Sequence, residues 1–135
     1  MNHKIEVFTD GASRNNPGHA GIGVVIKENK ETIKELHEYI GKNTNNFAEY
    51  CGLVKGLEST LKLGHKKAIF YLDSELLVKQ IKGEYQVKNP ELKPLYLKAK
   101  KLIDQFTIFE IKHIPRHLNR EADKLANIAI NQAIS

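Results

Sequence analysis

The stretch "EVFTDGASRNNPG", residues 6–18, joins a strand pattern to a loop rich in turn-forming residues. Apolar and polar side chains alternate through residues 5–9, the period of a β-strand with one buried face. We expect the strand to end at Asp10, because Asp and Gly are depleted in strands and common in turns. A carboxylate in this place is typical both of a turn and of a ligand site, so Asp10 alone does not distinguish the two.

Composition restricts the class of protein. The chain has 135 residues, a net charge of +5 and an apolar fraction of 41%, which predicts a single globular domain over residues 1–135. The lone cysteine, Cys51, excludes an internal disulfide. The sequence contains no apolar run of the length that a membrane span or signal peptide needs, so we expect a cytoplasmic protein. The mild positive charge slightly favours an anionic partner such as nucleic acid.

The remaining elements follow from periodicity. Strands are predicted at residues 20–27 and 32–41, completing an antiparallel meander. A helix with apolar residues from Phe47 to Leu61 follows, then a buried strand at 67–73. Two helices over 74–83 and 95–106, a strand at 107–114 and a final helix over 120–133 complete the chain. The order βββ-α-β-α-α-β-α indicates one α/β domain built on a mixed sheet.

Four carboxylates lie near the ends of these elements: Asp10, Glu49, Asp73 and Asp123. Each has an alternative explanation, since Asp10 suits a turn and Asp73 suits a helix cap. Glu49 and Asp123 suit the positive end of a helix dipole, with Asn119 as the cap of the last helix. If the first and fourth strands are parallel neighbours, however, all four can converge on one sheet edge.

Convergent carboxylates repel one another, and divalent cations relieve that repulsion. Mg²⁺ binds carboxylate, water and phosphate oxygens. Two such ions about 3.5–4 Å apart stabilise both the attacking and the leaving oxygen of a phosphoryl displacement. Cations bound among the converging carboxylates would therefore turn a site that repels phosphate into one that binds it.

The sequence resembles type 1 ribonuclease H, in its compact bacterial and archaeal form without a hybrid-binding domain. The resemblance is carried by four segments in the family's order: "TDGASRNNPG", "TNNFAEY", "LDSELLVKQIKGEY" and "HIPRHLNREADKLAN". It implies a ribonuclease H-like fold, with a five-stranded mixed sheet of three antiparallel and then two parallel strands, flanked by helices. It also implies endonucleolytic hydrolysis of the RNA strand of RNA–DNA hybrids. We further expect a monomer with no membrane partner.

The resemblance also assigns roles to the acidic residues. Asp10, Glu49, Asp73 and Asp123 would hold two Mg²⁺ ions, with Mn²⁺ as an alternative, and the products would carry 5′-phosphate and 3′-hydroxyl ends. The family has an auxiliary residue, often His, before the last Asp. His113 has the spacing seen in many relatives, and the choice between it and the nearby loop residue His117 stays open.

Further residues match family positions that contact the nucleic acid. Asn16, Asn45 and Asn46 match residues at the hybrid, Thr44 matches a DNA-phosphate contact, and Arg116 resembles a basic residue near the scissile phosphate. Turn, cap and solvent-facing duties are the alternatives for these side chains, and the two kinds of role are compatible.

Two departures from the family pattern suggest other functions. Glu75 stands where the family often has Gln, and the basic, Trp-rich protrusion is missing, so affinity must come from scattered lysines. A catalytically weak or inactive nucleic-acid-binding relative is therefore an alternative, although a pure binder gains nothing from acidic residues facing phosphates. A resolvase or transposase core of the same fold is disfavoured by the small size and the Asn-rich motifs.

Overall fold

The computed structural model describes residues 4–135, so the domain predicted over 1–135 begins with three residues outside the described part. Within the described part, the elements occur in the predicted order, with one added 3-10 helix at Arg116–Leu118. They are β1 (Ile5–Ser13), β2 (Gly18–Glu28), β3 (Glu31–Asn43), α1 (Asn45–Lys62), β4 (Lys67–Leu72), α2 (Glu75–Ile81), α3 (Lys93–Ile103), β5 (Ile108–His113) and α4 (Arg120–Ile134).

The strands form one mixed sheet in the order β3-β2-β1-β4-β5. The first three strands pair antiparallel, whereas β4 pairs parallel with both β1 and β5. The predicted meander and the predicted parallel pairing of the first and fourth strands are thus confirmed. Because β1 and β4 run in the same direction, their carboxyl ends meet at one edge of the sheet.

The core lies mainly between the sheet and α1. Val7 of β1, Phe70 of β4 and Leu57 of α1 are fully buried there. Each such side chain contributes about 1.5–3 kcal/mol relative to an exposed position. The other face of the sheet is covered by α4, which packs against β2, β3 and β1. The sheet edge near Asp10 is therefore held between two helices on opposite faces.

The predicted end of the first strand at Asp10 is wrong. The strand continues to Ser13, and Asp10 pairs with Gly23 of β2 inside the ladder. The prediction depended on the low strand propensity of Asp and Gly, and tertiary packing overrides such propensities. The turn itself begins beyond Ser13, and Asn15 has a left-handed φ of 66°.

No helix in residues 4–135 is both long enough and apolar enough to cross a membrane.

Candidate active site

Three of the predicted carboxylates meet at the shared edge of β1 and β4. Asp10 lies on β1, Glu49 in the second turn of α1, and Asp73 directly after β4. Each offers an oxygen atom, and these three atoms lie within 4.8 Å of one another. The structure therefore brings together residues that are up to 63 positions apart in sequence.

Glycines allow α1 to approach this edge closely. A Cβ built on Gly11 would lie 2.2 Å from the carbonyl carbon of Ala48, and one on Gly52 would lie 2.7 Å from the carbonyl oxygen of Asp10. Real Cβ atoms essentially never approach other atoms within 3.0 Å. Because glycine has no side chain, the backbones of β1 and α1 can touch here, and this contact places Glu49 beside Asp10.

The sequence allows two alternative roles for these carboxylates: helix capping for Asp73 and interaction with the helix dipole for Glu49. Thr44 caps α1, since its Oγ1 accepts a hydrogen bond from the backbone N–H of Phe47. Glu49 lies beyond the first turn of that helix. Ser74 caps α2 by accepting a hydrogen bond from the N–H of Leu77. Capping and the helix dipole therefore do not explain the positions of Asp73 and Glu49.

Asp123 lies in the first turn of α4, where its charge also suits the helix dipole. It is outside the group of three, but, in addition to burial, its interaction with the side chain of Asp10 raises the pKa of Asp10. A cavity of about 250 Å³ is lined by all four carboxylates together with Gly11, Ala12, Asn45 and Arg116. In the structure, the four carboxylates therefore converge on one edge of the sheet, as predicted for Asp10, Glu49, Asp73 and Asp123.

Burial and mutual repulsion make ionisation of these carboxyls costly. Burial, followed by the charges of Asp73 and Glu49, raises the pKa of Asp10 to about 9. Burial also raises the pKa of Glu49 to about 7, against the opposing hydrogen bond from Ser74. The pKa of Asp73 is raised by burial as well, while its hydrogen bond with Asn119 and the charge of Arg116 oppose the rise.

A divalent cation would remove most of this cost. An ion among the carboxylates favours their charged forms, and oxygen-only donors are the set that Mg²⁺ and Mn²⁺ accept. The described residues 4–135 contain no second group of three or more acidic, His or Cys side chains close enough to share an ion. The residues present therefore fit a hard divalent metal.

Asn119 was predicted as the cap of the last helix, and this prediction is wrong for its side chain. Asn119 stands at the cap position of α4 but makes no side-chain capping bond. Its buried Nδ2 instead donates to the carbonyl oxygen of Thr9 at 2.9 Å and lies 3.4 Å from Oδ2 of Asp73. An Asn before a helix is typical of a cap, so only the topology reveals this link between β1, β4 and α4.

The two candidate histidines lie in different places. His113 ends β5, opposite Leu72, and its charge lowers the pKa of Asp73. Its Nδ1 is 3.9 Å from Oε2 of Glu75. His117 lines a separate cavity that it shares with Phe8 and with residues at the start of α4. Of the two, His113 is the one electrostatically coupled to the carboxylate cluster.

The predicted nucleic-acid contacts on Asn16, Asn45 and Asn46 lie at the turn after β1 and the start of α1. Asn16 accepts a hydrogen bond from the backbone N–H of Asn45 at 2.8 Å, and Asn45 accepts one from the N–H of Ser13 at 3.2 Å. Asn16 and Asn46 are exposed. Asn45 and Arg116 line the carboxylate cavity itself.

Comparisons with known proteins place this chain among nuclease relatives. The family model described as "Reverse transcriptase-like" matches residues 8–129. A bifunctional protein of Mycobacterium tuberculosis is 42% identical over 132 residues, covering 96% of this chain but 36% of that protein. The chain thus spans about a third of the length of this relative. Ribonuclease HI of Halobacterium salinarum is 36% identical, covering 96% of this chain and 66% of its own.

A solved structure of a ribonuclease H is also similar to this chain. LC11-RNase H1, isolated from compost and crystallised with an RNA/DNA hybrid, superposes with a TM-score of 0.93. It is 43% identical, and the match covers 98% of this chain and all of the other.

Proposed function

The chain belongs to the type 1 ribonuclease H family of nucleases, and we propose that it hydrolyses the RNA strand of RNA–DNA hybrids as an endonuclease. The observation that carries the proposal is the convergence of Asp10, Glu49, Asp73 and Asp123 around one cavity. The relative LC11-RNase H1, solved with an RNA/DNA hybrid, supports the same class of substrate.

The four carboxylates would hold two Mg²⁺ or Mn²⁺ ions. Bound there, the ions would supply an activated water and charge stabilisation of the leaving 3′-oxygen, giving 5′-phosphate and 3′-hydroxyl products. The chain's own contribution is a set of oxygen ligands fixed by two helices and two strands before substrate arrives. Such preorganisation keeps the ligands from having to rearrange during the reaction.

His113 is proposed as the auxiliary residue that takes up or releases a proton near the leaving group. Imidazole is the side chain that most often serves as a general acid or base in enzymes. Its side chain is 40% exposed, and so it is accessible to substrate and solvent.

The turn after β1 and the start of α1 would contact the hybrid. Asn16 uses its Oδ1 to accept from Asn45, which leaves its exposed amide Nδ2 able to donate to a phosphate or a 2′-hydroxyl. Thr44 and Asn46 stand beside it at the N-terminus of α1, where backbone N–H groups favour phosphate. Arg116 would contact the scissile phosphate from the cavity wall.

The elements from Ile5 to Ile134 share one sheet and its flanking helices, and this supports the proposal of one ribonuclease H domain over residues 1–135. A monomeric state and a cytoplasmic location remain predictions from the sequence. Sedimentation equilibrium tests the first, and fractionation of cells that express the protein tests the second.

A substrate panel tests the proposed activity. Labelled RNA–DNA hybrid, double-stranded RNA and double-stranded DNA are incubated with the protein and either Mg²⁺ or Mn²⁺. We expect cleavage of the RNA strand in the hybrid alone, and none in EDTA. Binding of hybrid without cleavage under either metal, at high protein concentration, would instead support the non-catalytic relative.

A further inference from the structure

Asp123 is the one proposed ligand outside the tight group of three, so its placement depends on other contacts. Asn127 lies one turn later on α4, where residues i and i+4 share a helix face. Its Nδ2 donates to the carbonyl oxygen of Asp123 at 3.0 Å and lies 3.4 Å from the carboxylate Oδ1. The amide of Asn127 is thus directed at the carboxylate.

The orientation of that amide is fixed by an arginine from a different part of the chain. Nη2 of Arg14 donates to Oδ1 of Asn127 at 3.1 Å. A guanidinium can only donate hydrogen bonds, so the amide must turn its oxygen toward Arg14. Its NH₂ group is then left for Asp123, and the reversed amide would place an oxygen against the carboxylate.

Arg14 lies in the turn that is proposed to contact the hybrid. Its own backbone N–H donates to the carbonyl oxygen of His19, which closes the turn. The neighbouring Ser13 and Asn16 are bonded to Asn45 at the start of α1. The chain of contacts therefore runs from the hybrid-facing turn to α4 and ends on a carboxylate.

We propose that Asn127 is a positioning residue for Asp123 and that Arg14 fixes the orientation of Asn127. This inference rests on the proposed function, because Asp123 matters as a metal ligand. Asn127 acts on the metal site through the orientation of a ligand, without touching substrate. Partners that orient metal ligands typically change metal affinity or activity about 10–100-fold when removed.

The experiment compares N127A with the matched control N131A. Asn131 lies one turn farther along α4 and is exposed, so N131A makes the same change in the same helix away from Asp123. Binding of Mn²⁺ to the substrate-free protein is measured by titration calorimetry. We expect N127A to weaken this binding about tenfold, and N131A to leave it unchanged.

Arg14→Lys tests the second link. Lysine keeps the positive charge of the turn but lacks the planar fork that holds the amide. We expect R14K to weaken Mn²⁺ binding in the same direction as N127A, and by a smaller factor. In ¹⁵N-labelled protein, the side-chain NH₂ signals of Asn127 should shift more in R14K than in N131A.

A double-variant comparison separates positioning from general loss of structure. In a D123N background the N127A change should have no further effect on Mn²⁺ binding, because the carboxylate that it orients is gone. Equal Mn²⁺ affinity of N127A and wild type, or an undiminished effect of N127A in D123N, would overturn the inference.

Failure of the proposed function would look different. If the wild-type protein leaves hybrid intact while N127A still weakens Mn²⁺ binding tenfold, the positioning role stands and the assigned reaction fails. If wild type cleaves hybrid and N127A binds Mn²⁺ like wild type, the reaction stands and the positioning role fails.

Discussion

Replacing Gly11 by Ala should misplace a carboxylate of the proposed active site without changing any charged group. The added Cβ would lie 2.2, 2.3 and 2.4 Å from three backbone atoms of Ala48 and Glu49, whereas ordinary contact begins at 3.4 Å. Because backbone atoms cannot rotate away, β1 and α1 must separate locally by about 1 Å, and Glu49 moves with α1. A misplacement of about 1 Å can cost roughly 100-fold in rate.

Stability should fall as well, by about 1–3 kcal/mol for an overpacked interior site. Gly56→Ala is the matched control, since it overpacks the same helix–strand contact two turns from Glu49. Its Cβ would meet the side-chain atoms Cγ2 of Thr9 at 2.7 Å and Cε2 of Phe70 at 3.3 Å, and side chains can shift.

The assay is the initial rate of hybrid cleavage at saturating Mg²⁺, measured beside thermal denaturation. We expect both variants to lose stability, with G11A losing about 100-fold in kcat and G56A staying within a few-fold of wild type. Wild-type kcat in G11A, or an equal loss in G56A, would refute the claim that the close β1–α1 contact positions Glu49.

Three more predictions follow from the charges and hydrogen bonds of the site. Asp10→Asn should abolish cleavage yet raise the melting temperature of metal-free protein at pH 8 in EDTA. Asp10, with its raised pKa, must take up a proton on folding at this pH, whereas Asn need not, so a lower melting temperature would contradict the prediction. The folded carboxyls, with pKa values of about 9 and 7, hold protons that the unfolded chain has released. The stability of the metal-free protein should therefore fall as the pH rises from about 4 to 9. Mg²⁺ should raise the melting temperature more at pH 9 than at pH 5, and D10N serves as the control variant. Asn119→Ala removes a buried donor from Thr9 and Asp73 and should cost about 1–3 kcal/mol in chemical denaturation, whereas an unchanged midpoint would mean that the link contributes nothing.

Much of the fold could be predicted because its elements have strong local signals. The alternation in residues 5–9 and the nearly continuous apolar run of β4 are visible in the sequence, and so is the cap at Thr44. The end of β1 could not be predicted, because the pairing of Asp10 with Gly23 depends on a strand that follows a turn. Local propensity contains no term for such a partner.

The site shows the same division. The convergence of the four carboxylates could be predicted, because they occur at recognisable ends of strands and helices that a parallel pairing of β1 and β4 brings to one edge. The role of Asn119 could not be predicted, since its partners Thr9 and Asp73 are 110 and 46 residues away. The contact of Arg14 with Asn127 spans 113 residues and likewise has no local signature.

A comparison of Asp73→Asn with Asp104→Asn tests whether the carboxylate cluster performs the cleavage reaction. Asp73 belongs to the carboxylate cluster, whereas Asp104 is exposed at the end of α3. Hybrid cleavage rate and hybrid affinity are measured for both with Mg²⁺. We expect D73N to lose cleavage by orders of magnitude while its affinity changes little, and D104N to behave as wild type. Equal losses of cleavage and affinity in D73N would contradict it and make Asp73 structural.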